Sequence, residues 1–200
     1  MLEIVAVCTG NLCRSPLAEL LLRTRLSDMG VALRSVGTRT RDGMQMPPEA
    51  AAVAAAGGVA IELVAAHRSQ RMQPEHIRSA DLILAMAREH RREVVELAPA
   101  RVRNTFTIRE LGRLCADITD ADLRAAATSH ASGGASPHHR IRGMLAAVSA
   151  RRGMSPQPVG LDEDDVVDPF RHSAATYRLA AEQLTPGLVH VERLVRLAHS

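Results

Sequence analysis

Apolar positions along the chain fall into two patterns: short unbroken runs, and longer segments where apolar residues recur every three or four positions. The runs at 2–7, 32–36, 82–86 and 102–107 predict strands buried on both faces. The periodic segments at 16–29, 48–56, 88–98 and 172–199 predict amphipathic helices, with a shorter one at 74–77 leading into the third strand. Strands alternating with helices in this way predict an α/β fold, a parallel sheet with helices on both faces. Pro186 and Gly187 fall inside the last helical segment and predict a break or kink there.

Between residues 112 and 160 the alternation stops. Alanine-rich helical pieces surround a Ser/Gly/Pro cluster at 129–137, and a second such cluster at 153–158 closes the region. This predicts a single domain over 1–200 with a helical and loop insertion at 112–160, packed on its side before the last helix. No internal repeat is visible.

Length and composition narrow the class. Two hundred residues with 46% hydrophobic and 24% charged side chains suit one globular domain and disfavour disorder or a disulfide-stapled fold. With Phe106, Phe170 and Tyr177 as the aromatic residues, the core must be aliphatic. The net charge is +3. The basic residues are all arginines, scattered among acids with no interleaved aromatics to stack on bases, which argues against nucleic acid as a partner.

The N-terminal run lacks a basic leader and reads as a strand, while the alanine-rich stretch 50–66 is too weakly apolar to span a bilayer. A cytoplasmic protein without membrane contact is expected. Cys8, Cys13 and Cys115 cannot all pair within one chain, in keeping with a reducing compartment and open to thiol chemistry. His130, His138 and His139 fit no zinc spacing, so neither a metal nor another cofactor is expected.

The segment that carries chemistry follows the first strand directly: Cys8-Thr9-Gly10-Asn11-Leu12-Cys13-Arg14-Ser15-Pro16. A strand, a tight loop and a helix N-terminus form an anion site, because loop N–H groups converge on one phosphate and the helix dipole adds positive charge. Arg14 suits this site because its planar fork grips two phosphate oxygens at once. Gly10 and Asn11 tolerate the left-handed backbone that such a nest needs. Ser15 is placed to cap the helix, with Pro16 at its first position. Cys8 lies at the floor of the nest, where the field that binds phosphate also favours its thiolate as a nucleophile. Cys13, five positions on, is a candidate to capture an oxidised Cys8 as a disulfide.

This loop, with Leu17-Ala18-Glu19 after it, closely resembles the signature of the low-molecular-weight protein tyrosine phosphatases. Ser35-Val36-Gly37-Thr38, His67-Arg68-Ser69, the segment 81–86 and Asp168-Pro169-Phe170 extend the resemblance over 1 to about 110 and 162–200. It implies a four-stranded parallel sheet, a phosphocysteine intermediate on Cys8, and phosphate held by Arg14 and the amides of Thr9, Gly10, Asn11, Leu12, Cys13 and Ser15. It also implies that Asp168 is the general acid and base. Asn11, Ser15, Ser35 and His67 would hold the loop in its strained shape, and Leu12 and Phe170 would form the pocket wall. The substrate would be a phosphorylated protein or a small aryl phosphate.

The chain departs from that pattern in three places. The family's pocket mouth usually carries an aromatic after the Ser-x-Gly-Thr segment, and residues 39–44 contain none. Phe170 is followed by Arg171 instead of a second aromatic, and Ala87 stands where an Asp is common. Leu12 favours tyrosine over phosphoarginine, since the related arginine phosphatases tend to carry Thr there. A phosphoarginine phosphatase, an arsenate reductase of the same fold and a catalytically weak phosphoprotein-binding module are the alternatives. Cys115 alone is a poor substitute for the redox pair that a reductase needs.

Overall fold

The computed structural model describes residues 1–129, 136–154, 160 and 162–200. Strands β1 (Leu2–Cys8), β2 (Val31–Gly37), β3 (Leu82–Ala85) and β4 (Thr105–Thr107) form one sheet in the order β2-β1-β3-β4. All its pairings are parallel, with Leu2 opposite Val31, Cys8 opposite Gly37, Ile4 opposite Leu82 and Ile83 opposite Thr105. Helices α1 (Arg14–Arg25), α2 (Pro48–Ala56), α4 (Pro74–Arg78) and α5 (Arg88–Leu97) belong to the predicted α/β alternation, and α3 (Ile61–Ala66) is an additional one. Helices α6 (Ile108–Ala116), α7 (Asp120–Ser129) and α8 (Pro137–Ala150) follow β4, and α9 (Ala174–His199) closes the chain.

Residue alternation along β1 assigns the two faces. Leu2, Ile4, Ala6 and Cys8 join the larger core with Leu17 and Leu21 of α1, Leu111 of α6 and Leu188 of α9. Val5 and Val7 face the other way, onto Ile77 of α4 and Val94 of α5. The sheet is therefore covered on both sides, and β1, between β2 and β3, delivers its C-terminal end to the loop that follows.

Several predicted elements shift. The helix expected at 16–29 starts two residues earlier, with Cys13 at its N-cap and no side-chain cap. Pro16 is thus the third helical residue, where its missing N–H still has no intrahelical partner to lose. The fourth strand is only Thr105–Thr107, because β3 pairs with it no further back than Thr105. Residues Pro99–Asn104, opening on a proline and exposing Val102, form a 3-10 turn. Helix α3 comes from an alanine-rich stretch whose apolar period is too weak to read.

Pro186 does not interrupt α9, which runs unbroken from its Ser173 cap. Gly187 explains the tolerance: a Cβ there would lie 2.3 Å from the Ile108 carbonyl oxygen, so α9 rests backbone-to-backbone on α6. Leu184, Leu188 and Val191 bury the same stretch of helix. The region expected to begin at 112 as a side insertion has its first helix starting at Ile108, and Leu114, Leu123, Ile141, Met144 and Val148 are buried in the main core. His138 and His139 lie in α8: His138 Nδ1 stands 2.9 Å from Asp81 Oδ2, and His139 Nδ1 stands 2.9 Å from Ser136 Oγ. His130 and most of both Ser/Gly/Pro clusters lie outside the described residues.

Candidate active site

The chain leaves β1 at Cys8, loops through residues 9–13 and enters α1 at Arg14. Asn11 carries the left-handed conformation, with φ 52°. Gly10 does not share it, so among the expected left-handed residues Asn11 alone takes that role. Every polar group of Asn11 is engaged. Its backbone N–H donates to Cys8 Sγ at 3.2 Å, and its side-chain amide donates to Ser15 Oγ at 3.0 Å and Ser35 Oγ at 2.8 Å. Its Oδ1 accepts from the Gln70 N–H at 2.8 Å, and its carbonyl accepts from His67 Nε2 at 2.9 Å. Asn11 and Ser15 are fully buried behind the loop, where an unsatisfied polar group would be costly.

Ser15 does not cap α1. Its hydroxyl lies 3.0 Å from Cys8 Sγ, which gives the sulfur a second polar neighbour beside the Asn11 N–H. The end of β2 fastens the loop from the other side: the Thr38 and Arg39 N–H groups donate to the Cys8 and Thr9 carbonyls at 2.9 Å each. Gly37 is required at that contact, since a Cβ would sit 2.7 Å from the Thr9 carbonyl oxygen and 3.0 Å from the Asn11 nitrogen.

Arg14 is buried, and its fork spans to the loop before α9. Nη2 donates to Asp168 Oδ2 at 2.7 Å and Nη1 donates to the Val166 carbonyl at 3.1 Å. Asp168 Oδ1 accepts the Phe170 N–H at 3.2 Å, and Pro169 between them is buried. Cys8, Thr9, Gly10, Leu12, Cys13 and Arg14 line a cavity of about 640 Å³, with Asp168 and Phe170 on its rim. Met44 takes part of the wall where the family's aromatic is missing. Among the described residues no cluster of side chains suits a metal ion.

Three further residues support this loop. Glu19 Oε2 accepts the Ser35 hydroxyl at 2.6 Å, one helical turn beyond Ser15, while its Oε1 accepts from Arg23 at 2.6 Å. That position, four residues after Ser15 on α1, was a readable signal. Gln70 gave none, because it acts through its backbone. His90 is buried on α5, four residues before the core Val94, with Nε2 2.8 Å from Thr9 Oγ1. A histidine on the apolar spacing of an otherwise charged helix was visible in the sequence. Burial, reinforced by the charges of Arg14 and Arg39, pushes its pKa down to about 3, so it is neutral at ordinary pH. Burial also holds Cys13 as a thiol, pushed up to about 12, with the Tyr177 hydroxyl 4.0 Å away.

Fold and site together set a buried arginine and a cysteine around one cavity, where the end of a parallel strand meets a helix N-terminus. The model of the family described as low molecular weight phosphotyrosine protein phosphatase matches residues 3–151, and the chain belongs to that family. It is 44% identical over 97 residues to the low molecular weight protein-tyrosine-phosphatase Etp of Escherichia coli K12, a match spanning 48% of this chain and 62% of that protein's length. It is also 37% identical over 121 residues to a protein-arginine-phosphatase of Geobacillus stearothermophilus, covering 60% of this chain and 76% of the relative. The solved YwlE arginine phosphatase from Geobacillus stearothermophilus superposes with a TM-score of 0.63 at 25% identity, over 96% of this chain and 92% of that one. Among the described residues no helix is long and apolar enough to cross a membrane.

Proposed function

We propose that this protein hydrolyses phosphotyrosine in proteins, and small aryl phosphates, through a phosphocysteine formed on Cys8. The observation that carries this reading is the Cys8 sulfur, held under two polar neighbours in a cavity that also contains Arg14 and Asp168. Arg14 and the amides of residues 9–15 take the phosphoryl oxygens. The thiolate attacks phosphorus, the bond to the ester oxygen breaks, and Asp168 in its acid form protonates that departing oxygen. Water then attacks the phosphocysteine and gives its proton to the Asp168 carboxylate. The P–S bond breaks, and the Ser15 hydroxyl stabilises the departing sulfur.

Leu12 on the wall and Phe170 on the rim supply apolar contact for an aryl ring. The identity shared with the protein-arginine-phosphatase favours phosphoarginine as the second reading. A reducing cytoplasm suits a catalytic thiol.

The test replaces Cys8 by Ser and measures turnover of phosphotyrosyl, phosphoseryl and phosphoarginyl peptides beside vanadate affinity. The expected result is turnover of the phosphotyrosyl peptide by the wild type, none by Cys8→Ser, and vanadate affinity largely kept by the variant. Substantial activity in Cys8→Ser would place the nucleophile elsewhere, and preferred turnover of phosphoarginine would establish the second reading.

A further inference from the structure

The cavity over Cys8, at about 640 Å³, is in the range that takes a drug-sized ligand. Its outer wall is made of Arg39, Arg41, Arg71 and Arg171, in addition to the buried Arg14. These come from separate parts of the chain: the loop after β2, the segment after α3, and the turn after Asp168.

Most of this charge is unspent inside the molecule. Arg39 pairs with Glu93 at 2.8 Å. Arg41, Arg71 and Arg171 make no ion pair among the described residues, and all three are exposed. The Arg171 guanidinium rests 5.1 Å from the centre of the Phe170 ring, and Arg171 holds a left-handed φ of 64°, which turns the chain at the rim. The carboxylate in the wall is Asp168, already committed to Arg14. Asp42 stands nearby but accepts the backbone N–H of Arg71 at 2.6 Å.

Cations from three separate parts of the chain around one pocket suit a peptide that crosses the mouth and carries anions beside the phosphorylated residue. Nucleic acid would want stacking rings, and Phe170 is the sole aromatic there. Given the phosphatase reading, on which this rests, we propose that the mouth selects phosphotyrosyl peptides with acidic flanking residues, whose carboxylates Arg41, Arg71 and Arg171 meet. Each pair is exposed and individually weak, so selectivity comes from their sum and from steering of the approaching peptide.

The test compares kcat/KM for three phosphotyrosyl peptides of equal length flanked by Glu, Gln or Lys, with p-nitrophenyl phosphate as the reference. The enzymes are the wild type and the double variant Arg41→Gln, Arg71→Gln, which keeps the backbone hydrogen bonds at both positions. The Glu peptide should exceed the Lys peptide by about tenfold in the wild type, and the ratio should shrink in about 0.5 M salt. In the double variant the ratio should fall to about two.

A second arm measures affinity of the same fluorescent peptides for Cys8→Ser protein, with the same order expected. Ordered binding without turnover of any substrate by the wild type would overturn the phosphatase reading and leave this inference standing. Equal kcat/KM for the three peptides, a ratio that survives in the double variant, or faster hydrolysis of phosphoinositide headgroups on vesicles than of the Glu peptide would overturn the inference itself.

Discussion

The guanidinium of Arg14 and the carboxylate of Asp168 are 2.7 Å apart, with the arginine side chain 6% exposed and the aspartate 53%. The residue proposed to bind phosphate thus holds the residue proposed to protonate the leaving group. On the proposed reading, a phosphate dianion entering the cavity would compete with Asp168 for the same fork and free its carboxyl group for the ester oxygen, so that anion binding and positioning of the acid would be one event.

Asp168→Asn should slow turnover by about 10²- to 10⁴-fold for an alkyl or phenyl phosphate, and far less for an ester with a good leaving group. A series of aryl phosphates of graded leaving-group acidity measures this. Equal losses across the series would move the acid to another carboxylate, with Asp165 the next to try.

Arg14→Lys should be nearly as damaging as loss of the nucleophile. A point ammonium cannot grip two phosphoryl oxygens at once, nor span the Val166 carbonyl and Asp168 as the planar fork does. Isothermal titration with phosphate should show affinity falling along with kcat.

Gly37→Ala places a methyl against backbone, not against a side chain that can move aside. About 1–3 kcal/mol of stability should be lost, and displacement of the loop should lower kcat by about 10- to 100-fold. Gly10→Ala is the control, since its Cβ would meet the Leu12 side chain at an ordinary 3.7 Å. Urea unfolding should find that variant close to wild type.

His90 predicts an acid limb. In the unfolded chain an ordinary histidine takes a proton near 6.5, whereas His90 in the fold takes one only near 3. The unfolded state binds more protons between those values, so stability falls as pH drops from about 6.5 toward 3, by up to about 1 kcal/mol per unit. Burial lowers His190 as well, and it adds in the same direction. His90→Gln should flatten part of the limb in urea titrations at pH 7, 6, 5 and 4. A slope unchanged by the substitution would remove His90 from the account.

Oxidation tests Cys13. Capture of a Cys8 sulfenic acid needs the Cys13 thiolate, and a thiol pushed up to about 12 supplies little of it at neutral pH. Peroxide inactivation should be reversed by thiols more completely when oxidation is carried out near pH 9 than near pH 7, and Cys13→Ser should make it irreversible at both. Mass spectrometry should find Cys8 joined to Cys13. A bridge to Cys115, which is buried in α6 and likewise pushed up to about 12, or no bridge at all, would end this reading.

The sheet was legible because β1 and β3 are buried on both faces and read as unbroken apolar runs, and the loop after β1 because its residue types have few other uses together. What escaped was set by tertiary contact. Ser15 looks like a helix cap until the Cys8 sulfur claims its hydroxyl. Pro186 looks like a helix break, yet α9 runs through it, with Gly187 packed closely on the Ile108 carbonyl. Residues 102–104 look like strand until the short reach of β3 leaves them unpaired. Gln70 was invisible because its contribution is a main-chain N–H, which every non-proline residue carries.

Asn11 is held at its left-handed φ by residues from α1, β2 and the segment after α3. The loop they shape is a property of the folded chain and vanishes when the chain unfolds. On the proposed reading an oxyanion binds the native state alone, so inorganic phosphate should protect the whole molecule against heat and proteases in proportion to its occupancy. Loosening of β2 or of the segment after α3 should register first as weakened phosphate affinity, while the sheet is still intact. In that sense phosphate affinity would report how well distant parts of the fold hold together.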